Sequence, residues 1–150
     1  MLLPFLIQAV AIGIDEVYFH IKRDLPKWER IGHPLDTLSV LACFLFVLLM
    51  PDSPLNFKIY IGLAILSCLF ITKDEFVHKH HCPAGEQWLH ALLFVNHSIV
   101  LTVLAFLWPN MESWVKTFLW VQTVGIFLFL LYQIIYWNIW RTSTTTFTKS

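Results

Sequence analysis

Five long apolar stretches joined by short polar links dominate this 150-residue chain. They run from Leu2 to about His20, from about His33 to Met50, from about Phe57 to Lys73, from about Trp88 to Trp108, and from about Trp114 to Trp140. A helix needs roughly 20 mostly apolar residues to cross a bilayer. Only helices and closed barrels satisfy their backbone groups there. The pattern predicts an all-α polytopic membrane protein with five transmembrane helices, a single integral domain over 1–150. The composition agrees, with 57% hydrophobic and 13% charged residues against roughly 25% charged in soluble domains. This excludes an ordinary soluble enzyme, a disordered tail and a secreted disulfide scaffold. Ten basic and ten acidic residues cancel, so no bulk field points to nucleic acid. No basic segment precedes the first stretch, and Asp15-Glu16 does not resemble a small-residue cleavage site. It reads as a retained helix.

Pro51-Asp52-Ser53-Pro54 and Trp108-Pro109-Asn110 read as tight turns between spans. With five spans, Lys22, Arg23, Lys27, Arg30, Lys73, Lys79, Arg141 and Lys149 fall on or beside one face of the membrane. The other face has only Lys58 and Lys116. The positive-inside rule then places the N-terminus outside, with the loops at 21–32 and 74–87 and the C-terminus cytoplasmic. Trp28, Trp88, Trp108, Trp114, Trp137 and Trp140 lie near the expected helix ends, where indoles favour the interface. Cys43 and Cys68 sit inside spans and Cys82 faces a reducing compartment, so no disulfide is expected.

The polar residues repeat. Asp15-Glu16, His20, Pro26, Glu29 and His33 are echoed by Asp74-Glu75, His78, Pro83, Glu86 and His90. Pro-x-x-Glu-x-x-x-His is identical in both copies, at Pro26, Glu29, His33 and at Pro83, Glu86, His90. Each copy joins one span to the next. The expected architecture is therefore two helical hairpins in parallel repeat (about 2–50 and about 57–108), a fifth helix at about 114–140, and a tail at 141–150.

All seven histidines and eight of the ten acids lie in or beside these two junctions. Residues four apart share a helix face, so Glu16/His20, Glu29/His33 and Glu86/His90 each point together, and Glu75 with His78 completes the set. Carboxylate and imidazole suit iron, manganese or zinc, and ionisable groups inside a membrane usually mark function. The expected ligands of two metal ions, iron first, are Glu16, His20, Glu29, His33, Glu75, His78, Glu86 and His90. Asp36, His80, His81 and His97 are expected as further ligands or as their supports; His97 lies about 16 Å along the helix from Glu86. Asp15 and Asp74 read equally well as residues that cap or solvate helix ends.

This ligand chemistry and membrane placement resemble the membrane-embedded, histidine-rich di-iron hydroxylases and desaturases. His78-Lys79-His80-His81 is similar to one of their histidine boxes, and the other boxes are absent. The resemblance implies an oxygenase that hydroxylates or desaturates a lipid or other apolar substrate, served by a separate electron-donor protein. The fifth helix, with Gln122, Gln133 and Asn138 as its few polar groups, is expected to shape a lipid groove or a contact between copies. A metal or proton transporter is the alternative, but Phe44–Met50 and Val100–Leu107 leave the outer half almost wholly apolar. A haem or metal-binding subunit, with His33 and His90 as ligands, is a third reading. Paired carboxylates are not needed for haem.

Overall fold

The computed structural model describes residues 1–23, 25–74 and 82–141; Glu75, His78, His80 and His81 lie outside the described residues. Every described element is helical. α1 spans Leu3–Ile14 and continues without a break as a π-helical segment, Asp15–His20, and a last turn, Ile21–Arg23. α2 is Lys27–Leu49, α3 Pro54–Ile71 and α4 Ala84–Leu107. α5, Ser113–Tyr132, runs on as a second π-helical segment, Gln133–Trp140. Among the described residues, five helices are long and apolar enough to cross a membrane.

Local chemistry sets the boundaries. Pro26 and Pro83 cap α2 and α4 in the same extended conformation (φ −63°, ψ 157° and φ −64°, ψ 156°). The two copies of Pro-x-x-Glu-x-x-x-His thus open their helices alike, with the glutamate in the first turn. Both helices begin earlier than hydropathy predicts, at Lys27 rather than His33 and at Ala84 rather than Trp88. Their first turns carry polar residues that turn inward. Ser53 caps α3, its hydroxyl accepting from the Asn56 amide at 3.2 Å, and Pro54 occupies the first turn, where a missing N–H costs nothing. Pro34 lies inside α2 and cannot donate to the Arg30 carbonyl four residues back. Asn138 donates to that oxygen instead, at 2.9 Å, tying α5 to α2.

The helices divide into two levels. At the end away from the repeats, Phe5, Phe44, Val47, Tyr60, Leu104 and Leu119 belong to a tight apolar core. Phe5 meets Phe44 and Phe118 edge to face, with centroids 5.9 and 5.7 Å apart. At the repeat end the interior is polar. α3 shows the inversion best: its only buried residues are Tyr60 and Ser67, while Leu55, Ile65, Leu66 and Leu69 face outward. Tyr60 donates to the Leu101 carbonyl at 2.6 Å. Polar contacts inside and leucines outside suit a helix whose surroundings are as apolar as its neighbours.

Candidate metal centre

Three helix ends converge at the repeat end. The π segment of α1 supplies Asp15, Glu16 and His20, the start of α2 supplies Glu29 and His33, and the start of α4 supplies Glu86 and His90. Glu29 and Glu86 are fully buried, and Asp15, Glu16, His20 and His90 are buried as well. Each glutamate lies in the first turn of its helix, where the positive end of the helix dipole favours a carboxylate.

The distances are short. His90 Nε2 lies 3.0 and 3.1 Å from the two carboxylate oxygens of Asp15. His20 Nε2 is 3.2 Å from Asp15 Oδ2 and 3.6 Å from Glu86 Oε1. The His20 and His33 rings are 4.8 Å apart, and His33 Nε2 is 4.0 Å from Glu29 Oε2. Asp15, His20, Glu86 and His90 each offer one donor atom within 4.8 Å of the others, as do His20, Glu29 and His33.

Glu16 orients this group. Its Oε1 accepts from Tyr132 Oη and Trp137 Nε1, both at 2.8 Å, and its Oε2 lies 3.3 Å from His20 Nδ1. An ionised carboxylate only accepts, so His20 Nδ1 donates to Glu16. His20 Nε2 makes no hydrogen bond and is aimed between Asp15 and Glu86. Two carboxylates and two imidazoles, each offering one donor atom within 4.8 Å of the others, form a set suited to a metal ion, and a carboxylate holding the far nitrogen of a histidine is the usual support of a metal ligand. The buried Asp-His-Glu-His group can hold a metal ion.

The structure brings together His20, Glu29, His33, Glu86 and His90 from the expected set. Glu16 is turned away from the shared centre to hold His20. Asp36, expected beside the ligands, instead receives Lys73 Nζ at 2.6 and 2.7 Å. His97 is deeper: its Nε2 is 3.1 Å from the Ser67 hydroxyl, which is 2.8 Å from the Ser39 hydroxyl. Neither Asp36 nor His97 enters the two donor groups. Trp137, expected at the interface, is buried against Glu16.

Asp15 is the ligand candidate that α-helical spacing misses. In an α-helix, residues five apart diverge, so α-helical spacing puts Asp15 and His20 on different faces. The π segment bonds i to i+5, as the Ile21 amide does to the Glu16 carbonyl, and this turns Asp15 and His20 to one side. The second π segment does the same for Tyr132 and Trp137, again five apart, which meet on a single oxygen of Glu16. An acid pair inside an apolar stretch, with a histidine five residues on, was the available signal.

Below the cluster lies a cavity of about 530 Å³. Asp15, Glu16, His20, His33 and His90 form its upper wall; Phe5, Phe44 and Val100 lie at its other end. The candidate ligands therefore open onto apolar space inside the bundle. No protein-family model, curated protein or solved structure matches this chain.

Proposed function

We propose that this protein is a membrane-integral, iron-dependent oxygenase that hydroxylates or desaturates a lipid or other apolar substrate. The observation that carries the reading is the direct opening of a buried carboxylate–imidazole cluster into an apolar cavity. Asp15, His20, Glu86 and His90 would hold the first ion, two histidines and two carboxylates that leave positions open on a six-coordinate metal. Iron held in such a set supplies oxygen-activating redox chemistry. One imidazole nitrogen has one lone pair, so His20 serves a single ion. Glu29 and His33 would belong to a second ion, whose remaining donors are sought in Glu75, His78, His80 and His81.

The protein's own part is to position. Glu16 fixes the His20 ring, Tyr132 and Trp137 fix Glu16, and the mostly apolar cavity would hold the substrate beside them. A separate electron-donor protein would dock at the cytoplasmic ends of the helices, near Lys22, Lys27 and Arg141, with the N-terminus outside. Transport is the weaker reading, because the Phe5–Phe44–Phe118 cluster closes the far end with groups that bind no ion.

Metal content tests the proposal: protein purified in detergent without a metal-binding tag, supplied with iron, and analysed by mass spectrometry. About two irons per chain is the expected result. A folded protein that takes up no iron refutes it.

A further inference from the structure

The cavity beneath the cluster is long rather than round. Its lining runs from Phe5 to His20 on α1, from His33 to Phe44 on α2 and from His90 to Val100 on α4, at least about 15 Å of each helix. A volume of about 530 Å³ over that length makes a slot.

The slot also has a side opening. α1 packs along α4, and α2 packs along α3 and α5, but α1 and α5 share no comparable backbone packing. Side-chain contacts join them at the two ends, Phe5 against Phe118 at the floor and Glu16 with Tyr132 and Trp137 at the top. Between these clasps, Ala9 and Gly13 of α1 and Val121 and Gly125 of α5 line the cavity and are exposed on the outside. A Cβ added at Gly13 or Gly125 meets nothing within 4 Å, so space is left open where the two helices would otherwise close. Two of the polar side chains farther down are already engaged within the protein. Gln8 accepts from the Asn96 amide at 2.8 Å, and His97 is held by Ser67. Gln122 also lines this part of the cavity, and the rest of its lower lining, Phe5, Phe44, Val100 and Ile126, is apolar.

The geometry points to one ligand class: an amphiphile with a single unbranched hydrocarbon chain, which enters sideways from the bilayer through the α1–α5 seam. Its tail lies toward Phe5 and Phe44, and its polar head stays beside the cluster. The carbons next to the head are then the ones nearest the candidate ligands. A free fatty acid and one acyl chain of a phospholipid share this chemistry. The inference rests on the cluster being the reacting centre, and it adds the substrate class and its route.

Photolabelling of the protein in phosphatidylcholine vesicles tests it. Two probes are used, palmitic acid with a diazirine at its terminal carbon and a phosphatidylcholine carrying the same chain. With the probe that enters, adducts on Phe5, Phe44 and Val100 should exceed those on the outward Leu55 and Leu66 at least threefold. That probe identifies the source. Gly13→Trp and Gly125→Trp should lower the floor adducts at least threefold and leave those on Leu66 unchanged. Floor labelling no higher than Leu66 with both probes overturns the inference, as does undiminished floor labelling in both variants or its displacement by excess cholesterol. The wild-type ratio stands by itself if the variants fail to fold. Metal analysis of the same samples separates the two ideas: floor labelling without metal removes the metal centre and keeps the slot, whereas metal without floor labelling removes the slot alone.

Discussion

Replacing Glu86 by glutamine separates a metal centre from a buried ion pair by the sign of its effect. Glu86 is fully buried, and its donor oxygen lies within 4.8 Å of that of Asp15. Two carboxylates at that distance repel by about 3.5 kcal/mol at an effective dielectric constant of about 20. The imidazoles of His20 and His90 beside them offset part of this, leaving about 2 kcal/mol of repulsion in metal-free protein, of the same order as the gain when whole buried charge clusters are replaced in other proteins. A chain of this size gains about 2–4 °C in melting temperature per kcal/mol. Metal-free Glu86→Gln should therefore melt about 4–8 °C above the metal-free wild type. Iron should do the opposite. At a hundredfold excess over Kd it adds about 2.7 kcal/mol to the wild type, about 5–11 °C on the same scale, and this shift should collapse in the variant. The assay is thermal unfolding in detergent, with and without iron after chelation. If metal-free Glu86→Gln melts below wild type and iron moves both proteins equally, Glu86 is a structural partner of His20 and the metal argument fails.

Three further outcomes follow from single contacts. Tyr132→Phe removes one of the two donors to Glu16 Oε1; loss of such a support should weaken metal affinity about 10–100-fold with little change in helix content, measured by metal titration and circular dichroism. Ser67→Ala leaves His97 Nε2 without its hydroxyl partner and should cost about 1–3 kcal/mol, read as a lower melting temperature. Iron content should not change, since His97 stands outside the donor groups; a loss of iron would return His97 to the ligand set. A fluorescent protein fused after Ser150 should fluoresce from the cytoplasmic side, and protease protection of that fusion in right-side-out vesicles would support the proposed orientation. Digestion from outside would reverse it.

Helix number and approximate extent were legible because hydropathy over windows of this length measures what a span requires, and the Pro-Asp-Ser-Pro and Trp-Pro-Asn links punctuate it. The glutamate–histidine pairs at Glu29/His33 and Glu86/His90 were legible for a similar reason. They are local, four residues apart, and sit in helices that stay α-helical. Asp15 was not. Its partner His20 is five residues away, and α-helical periodicity sends such residues apart.

What the sequence determines on its own is what short-range rules can carry: five apolar helices, prolines that start α2 and α4 at equivalent places, and acids and histidines gathered at one end. What only the tertiary structure decided is which of these groups share a centre. The π segment at Asp15–His20 rotates Asp15 inward, and Tyr132 and Trp137, more than a hundred residues distant, turn Glu16 into a support for His20. Lys73 draws Asp36 away, and Ser67 keeps His97 at a deeper level. The last three of these outcomes each depend on a partner from another helix, and side-chain chemistry read along one helix does not contain the neighbour that will satisfy it.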